Sequence, residues 1–382
     1  MSLDPARIAQ VFDGDRLRQA RQLAMRTKQS VAASLGVSGA AVSQYESGAT
    51  TPRGDLIPRL AAELDVLPEF FAAGRPYENL DVSKTFFRSL RSTTSKQRFR
   101  STAYTEQYWE LVAAIEKHVR LPEVALPGFG GGEIAEDAFP HDPVTAAQFL
   151  RRHWQINPGP VPHMVRLLES KGIVVVIVPN SDEEVAKIDA FSTLAFTRPV
   201  IVLSLHKADD VYRLRFTAAH ELGHLVLHGG FASGDPILER EADRFAAEFL
   251  TPDLEIRSEL PRRTDFTALG KLSRRWGVSV KSLLYRSQEI GYISEPTARR
   301  GYMRLNQLAA AGVFSPESVS QHPGEMPSML NQAIELAAQR GVTITSLADE
   351  LKWKPAHLRH MLGVPDERPV LRLVTSTERE RR

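Results

Sequence analysis

A pentapeptide near residue 220 constrains the fold of this chain more than any other sequence feature. His220-Glu221-Leu222-Gly223-His224 lies in a stretch, 213–227, that has good helix formers and no proline. The residues on both sides of it are apolar, so the pattern predicts a buried helix with two imidazoles one turn apart on one face. Because buried polar groups require partners, the fold must supply partners around this helix.

Two histidines at this spacing can bind one metal ion, and the H-E-x-x-H pattern indicates zinc. Glu221 follows the first histidine and is the candidate general base, which would take a proton from activated water and pass it to a leaving amine. The sequence contains no cysteine, so any further metal ligand must be His, Asp or Glu.

The candidates for the third ligand stand about fifteen residues farther along the chain. Glu239 and Asp243 share one face of a predicted helix, and this spacing favours Glu239 over Glu241 as a ligand. Asp243 would then accept the free ring N–H of a metal-binding histidine. The alternative is that these carboxylates only complement the helix dipole. His228 is interpreted as a residue behind the ligands or at the surface, because Leu227 and Gly230 do not fit the longer H-E-x-x-H-x-x-G-x-x-H motif.

A second informative region lies near the N-terminus. The pattern predicts a helix over 28–35, a left-handed turn at Gly36, and a further helix capped by Ser38 that runs to about Ser47. This is the helix-turn-helix layout. Residues 27–38 and 42–48 resemble the XRE (Cro/repressor-type) family, which implies binding of double-stranded DNA and a homodimer.

On that resemblance, the residues placed at the major groove are Ser38, Gly39, Ala40, Ser43 and Gln44. Lys28 would lie near a phosphate. Of these side chains, Gln44 can make a bidentate base contact, typically to adenine. The alternative is a helical bundle that binds protein rather than DNA.

The region around the pentapeptide also resembles a known family. The similar stretches are 189–192, 215–225, 239–252, 276–280, Arg286 and 290–294, and they resemble the ImmA/IrrE metallopeptidases. The resemblance implies a cytoplasmic, zinc-dependent, gluzincin-like peptidase whose members cleave XRE-type repressors in stress responses and mobile elements. Thr251 departs from the usual Met before Pro252, which concerns helix termination more than chemistry.

The remaining segments complete the predicted organisation. Three strands are expected over 173–178, 191–196 and 200–205, and an amphipathic helix is expected over 104–119. A basic segment, 84–100, is interpreted either as an arm that contacts phosphates or as a connector. A helical pair over 343–361 is interpreted as a structural cap rather than a second DNA-binding element, and residues 375–382 are expected to be disordered.

The sequence therefore predicts a multi-domain chain. It has an all-α helix-turn-helix domain (10–75), a basic and helical linker (76–130), an α+β gluzincin-like metallopeptidase domain with a small sheet (131–300) and a helical C-terminal region (301–382). The net charge of +2 restricts DNA binding to a local patch. The absence of cysteine and of long apolar runs favours the cytoplasm and no membrane contact.

Three functions fit these observations. The first is a regulator with an active peptidase that cuts a repressor or itself. The second is a regulator whose peptidase-like domain is a catalytically silent sensor of a ligand or metal. The third, which is disfavoured, is a stand-alone housekeeping peptidase whose N-terminal helices bind protein.

Overall fold

A computed structural model describes residues 4–76, 80, 86–87, 94–131, 139–178, 190–205, 209–229 and 235–364. Part of the basic segment, including Lys84, Arg88 and Arg91, lies outside these residues, as does the 375–382 tail. None of the described helices is long and apolar enough to cross a membrane.

Five short helices form the N-terminal region. They are α1 (Pro5–Gln10), α2 (Gly14–Leu23), α3 (Lys28–Leu35), α4 (Gly39–Glu46) and α5 (Ile57–Glu63). The side chain of Thr27 caps α3 by accepting from the Ser30 N–H, and Ser38 caps α4 by accepting from the Ala41 N–H. Gly36 ends α3 at φ 70°, a left-handed conformation that glycine adopts without steric cost. The predicted helix-turn-helix is therefore confirmed in its bounds.

Helix α6 (Ser95–Glu116) begins nine residues before the predicted start at 104. A capping box starts it, because Thr94 accepts from the Gln97 N–H while the Gln97 side chain accepts from the Thr94 N–H. Buried residues occur on all sides of this helix rather than along one stripe. The expected amphipathic pattern is absent because other elements pack around α6.

A small sheet occupies the middle of the chain. Its strands are β1 (Phe86–Phe87), β2 (Val174–Val178), β3 (Ala190–Thr193) and β4 (Val200–Ser204), in the order β1-β3-β4-β2. Strands β2 and β4 are parallel, and β3 runs antiparallel to both β4 and β1. Strand β3 ends earlier than predicted because Thr193 Oγ1 accepts from the Ala195 N–H and turns the chain.

Helices surround this sheet. They are α7 (Pro143–His153), α8 (Met164–Ser170), α9 (Val211–Leu227), α10 (Pro236–Leu250), α11 (Asp253–Ile256), α12 (Phe266–Trp276), α13 (Val280–Glu289) and α14 (Glu295–Ala310). The C-terminal region adds α15 (Met329–Ala338), α16 (Ile344–Leu351) and α17 (Pro355–Met361). The predicted fold class is confirmed: a helical N-terminal region, a small sheet among helices and a helical C-terminal region.

The sheet separates two hydrophobic cores. On β2, Val174, Val176 and Val178 pack in the core that contains the N-terminal helices, α6 and α15–α17. The alternate residue Val175 packs in the core formed by α7–α10 and α12–α14. This alternation follows from the two-residue period of a strand. One sheet thus joins the helix that carries the pentapeptide to the rest of the chain.

Candidate metal centre and nucleic-acid interface

Helix α9 holds both histidines of the pentapeptide inside the molecule. His220 is fully buried and His224 is 2% exposed. Their Nε2 atoms lie 3.1 Å apart, because residues separated by four positions stack one turn above the other. The two rings therefore aim the same type of nitrogen at one point.

Glu239, at the start of α10, reaches the same point. Its Oε2 lies 3.4 Å from His220 Nε2, and its Oε1 lies 3.6 Å from His224 Nε2. Ligand atoms bound tetrahedrally to zinc at about 2.0–2.1 Å stand about 3.3 Å from one another. The three side chains thus have the spacing of a His/His/Glu metal site.

The close approach of α9 and α10 depends on Gly223. A Cβ atom at this position would lie 3.1 Å from Phe245 Cδ1 and 3.2 Å from Ala242 Cα. These distances are tighter than ordinary van der Waals contact, so any larger residue would push the helices apart. Gly223 therefore keeps Glu239 within reach of the histidines.

Asp243 fixes the protonation of the first histidine. Its Oδ1 lies 2.8 Å from His220 Nδ1 and must accept a proton there, since an ionised carboxylate only accepts. The Nε2 of a neutral His220 then carries a lone pair directed at the cluster.

His228 and Glu241 fix the second histidine in the same way. Glu241 Oε2 lies 3.0 Å from His228 Nε2, and His228 Nδ1 lies 2.9 Å from His224 Nδ1. Burial lowers the pKa of His228, which keeps the ring neutral at pH 7. Since His228 donates to Glu241 from Nε2, its Nδ1 accepts from His224, and His224 also presents an Nε2 lone pair to the cluster.

The donor set therefore fits a cation. With the tautomers assigned above, two imidazole lone pairs and a carboxylate converge, and a positive ion relieves the electrostatic repulsion among them. Sequence reasoning set His228 and Glu241 aside as ligands. The structure places them as a pair behind His224, and the four-residue spacing of His224 and His228 was the available signal.

Glu221 follows His220 on α9 and is fully buried. Its Oε2 accepts a 2.8 Å hydrogen bond from the hydroxyl of Ser192 on β3. Strand β3 thus orients the carboxylate that follows the first histidine. Sequence analysis gave no role to Ser192, although a serine that alternates with Ala190 in a buried strand was a usable signal.

Arg215 secures the helix one turn before the histidines. Its guanidinium donates to the carbonyl oxygens of Val161, Pro162 and Gly277, and it pairs with the buried carboxylate of Glu325. Glu325 in turn accepts from the Met164 N–H at the start of α8. This network fixes α9 relative to α8 and the segment before α15.

A cavity of about 550 Å³ opens beside the cluster. Among its lining residues are Thr217, Asp243 and Tyr285. Since Asp243 also contacts His220, the cavity reaches the back of the metal-binding side chains and is large enough to receive part of a peptide.

The helix-turn-helix segment presents its predicted DNA contacts on one surface. Ser38, Gly39, Ala40 and Gln44 are exposed, and Ser43 is partly exposed. A side chain at Gly39 would meet nothing within 4 Å, so the surface at the start of α4 is open at this position.

Lys28 forms an ion pair within the N-terminal region. Its Nζ lies 3.2 Å from Glu46 Oε2, and Arg21 pairs with the same carboxylate at 2.5 Å. Glu46 thus compensates two positive charges next to the recognition helix. The positive charge of these two side chains beside α4 is consequently offset in part.

Two family models match the two regions described above. Residues 17–71 match the helix-turn-helix family, and residues 168–288 match the family described as IrrE N-terminal-like domain, Peptidase_M78. A search of curated proteins found no significant match. Members of the peptidase family are typically metal-dependent, which agrees with the His220, His224 and Glu239 cluster. The chain therefore joins an XRE-type helix-turn-helix segment, which suggests DNA-binding regulation, to an IrrE/ImmA-like metallopeptidase segment.

Proposed function

We propose that this chain is a cytoplasmic DNA-binding transcriptional regulator whose zinc-dependent peptidase domain hydrolyses a peptide bond in an XRE-type repressor or in the chain itself. The observation that carries the proposal is the convergence of two imidazole Nε2 atoms and the Glu239 carboxylate, together with the burial of Glu221, the residue after His220. The absence of cysteine supports a reducing compartment.

His220, His224 and Glu239 are the proposed metal ligands. A zinc ion held by them would supply Lewis-acid activation of water and of the scissile carbonyl. Asp243, with His228 and Glu241, keeps the two imidazoles in the tautomer that presents Nε2. The orientation of the ligands is therefore set before the metal arrives.

Glu221 is the proposed general base. Its carboxylate takes a proton from the attacking water and returns it to the amine of the leaving peptide. The Ser192 hydroxyl holds one oxygen of this carboxylate, which limits its rotation. The cavity along Thr217 and Tyr285 is the proposed position of a part of the peptide away from the scissile bond.

We also propose that the chain binds DNA through α4. The proposed major-groove contacts are Ser38, Gly39, Ala40, Ser43 and Gln44, and Lys28 would lie near a phosphate. Their exposure along the start of α4 supports this assignment. We further propose a homodimer, since two helix-turn-helix units read two half-sites one helical turn apart.

Elemental analysis of the purified full chain tests the metal site. We expect one zinc per wild-type chain, loss of zinc in His220→Ala and Glu239→Ala, and retention of zinc in the exposed control Glu295→Ala. Glu221→Gln should also retain zinc, because Glu221 is not a ligand. A wild-type chain that takes up no zinc at micromolar concentration would refute the peptidase proposal.

A peptide-hydrolysis assay distinguishes an active peptidase from a catalytically silent sensor. Zinc-loaded wild type and Glu221→Gln are incubated alone and with XRE-type repressors, and new chain termini are identified by mass spectrometry. Termini that appear with wild type and not with Glu221→Gln support peptidase activity. If both proteins bind zinc and neither produces new chain termini, the result supports the alternative, a regulator that senses a ligand or metal without hydrolysis.

A further inference from the structure

A second cavity, of about 250 Å³, lies where the helix-turn-helix segment meets the rest of the chain. Its walls come from the end of α2 and residues 64–70 on one side, and from α6 and the turn between α16 and α17 on the other. A ligand in this cavity would therefore contact both the DNA-binding segment and the body of the protein.

Trp353 gives the cavity an unsatisfied hydrogen-bond donor. The residue is 2% exposed, and its Nε1 finds no hydrogen-bond partner among the residues that the structure describes. Buried polar groups are nearly always hydrogen-bonded, so an indole N–H left alone in a cavity wall indicates a missing acceptor. Since Trp353 lines the cavity, a molecule that enters it can supply this acceptor.

The charged groups around the cavity favour an anion. Arg100, Lys352 and Lys354 line it, while Asp65, the acidic residue in its wall, already pairs with Lys354. Lys352 has no ion-pair partner within the described ranges. An entering carboxylate would thus lie among more positive than negative charges.

The aromatic residues in the cavity wall favour a planar ligand. Tyr104 and Trp353 both pack against the ring of His357, with centroids 6.4 Å and 5.5 Å from it. Burial lowers the pKa of His357 to about 4, so the ring is neutral at pH 7 and donates from Nε2 to Gln107 Oε1. Neutral aromatic surfaces of this kind accept a flat, apolar ligand by stacking.

We propose that this cavity binds a small planar organic anion, whose carboxylate accepts from Trp353 Nε1 and lies near Lys352 and Arg100. Bound there, the anion holds the helix-turn-helix segment against α6 and the C-terminal helices. A ligand that binds only this docked arrangement raises its population. The cavity is thus an effector site that lies outside the metal centre and is independent of peptide hydrolysis.

Binding is tested with benzoate as the probe and with benzamide, a neutral molecule of the same shape. Calorimetric titration of the full chain up to about 10 mM covers the roughly millimolar Kd of a weak, fragment-sized ligand. We expect saturable binding of benzoate to one site and binding of benzamide at least about tenfold weaker. Absence of saturable benzoate binding, or equal binding of both molecules, would overturn the proposal.

Three variants test whether benzoate binds in this cavity. Trp353→Phe should weaken benzoate binding by about tenfold or more, and Lys352→Gln by about fivefold or more. Lys271→Gln, an exposed lysine on α12, is the matched control and should bind benzoate like wild type. If Trp353→Phe does not fold, Lys352→Gln decides, because it changes the edge of the cavity and no core contact. Unchanged affinity in Lys352→Gln would refute the assignment.

Hydrogen exchange tests the docking effect. Benzoate should slow amide exchange in 64–70 and in 100–107 together, since the ligand contacts both walls. Slower exchange on one side only would show that the anion binds without holding the segments together. Neither readout requires zinc or DNA, so these results are independent of the proposed peptidase and operator binding.

Discussion

His224 owes its orientation to two side chains that are not ligands, His228 and Glu241. Glu241→Gln replaces the carboxylate that holds the proton on His228 Nε2 with an amide that can also donate. His228 can then take the opposite tautomer, which weakens the Nε2 lone pair of His224 as a ligand. We expect zinc affinity to fall about 10- to 100-fold, measured by competition with a chelator.

The control for this prediction is Glu295→Gln, an exposed carboxylate that pairs with Arg299 on α14. Its zinc affinity should equal that of wild type. An unchanged affinity in Glu241→Gln would show that His224 needs no such support, and Glu241 would then be a surface charge.

Gln44 is the side chain on α4 that can read a base edge with two hydrogen bonds. Gln44→Ala should reduce discrimination at one base pair by about 1–3 kcal/mol, which is roughly 5- to 150-fold. The preferred site of the wild type is first selected from random DNA. The affinities of both proteins for this site and for its single-base-pair variants are then compared. Gln339→Ala, at an exposed glutamine that ends α15, is the matched control. Equal affinity would remove Gln44 from the interface.

At the scale of elements, α17 docks on α6 through a neutral histidine. The folded-state pKa of His357, about 4, lies below its ordinary value of 6.5, because burial disfavours the charged ring. Between these values the unfolded chain binds the proton and the folded chain does not. The contribution to stability is therefore complete above about pH 6.5 and is lost as the pH falls toward 4.

His357→Gln should remove this pH dependence, which we expect to amount to about 1–3 kcal/mol between pH 6.5 and 4. Denaturant unfolding of wild type and variant at several pH values gives the difference. The same substitution at the exposed His141 serves as control and should leave the wild-type curve in place. If wild type and His357→Gln lose stability in parallel, docking of α17 does not depend on the neutral ring.

At the scale of the whole molecule, a buried ion pair fastens the N-terminal helices to α6. Arg16 is fully buried and lies 2.7 Å from Glu110, which is 2% exposed and also pairs with Arg75 at 3.1 Å. Glu110→Ala leaves two arginines without this partner and should cost about 3–5 kcal/mol.

Calorimetry measures this effect. Since the N-terminal helices share a core with α6 and the C-terminal helices, the wild type should unfold these elements together, and Glu110→Ala should unfold the N-terminal helices at a lower temperature. Glu116→Ala is the control, because its pair with Arg198 is partly exposed and contributes at most about 1 kcal/mol. A single unshifted transition in Glu110→Ala would contradict this account of the docking.

Local signals in the sequence determined the helix-turn-helix and the two histidines on one face. Thr27, Gly36 and Ser38 act on backbone groups within four residues, so propensity and capping rules place α3 and α4 without knowledge of the fold. The spacing of His220 and His224 is likewise a property of one helix. The carboxylates on α10 could be proposed from spacing, but their distance to α9 could not.

The tertiary structure alone decided what surrounds these local features. Ser192 and Glu221 meet across 29 residues, and Arg16 and Glu110 across 94. Such contacts depend on how strands and helices pack, and short-range periodicity in the sequence does not predict them. The same holds for α6, whose sequence suggests one apolar stripe but which is buried on all sides because the N-terminal helices, the sheet and the C-terminal helices pack around it.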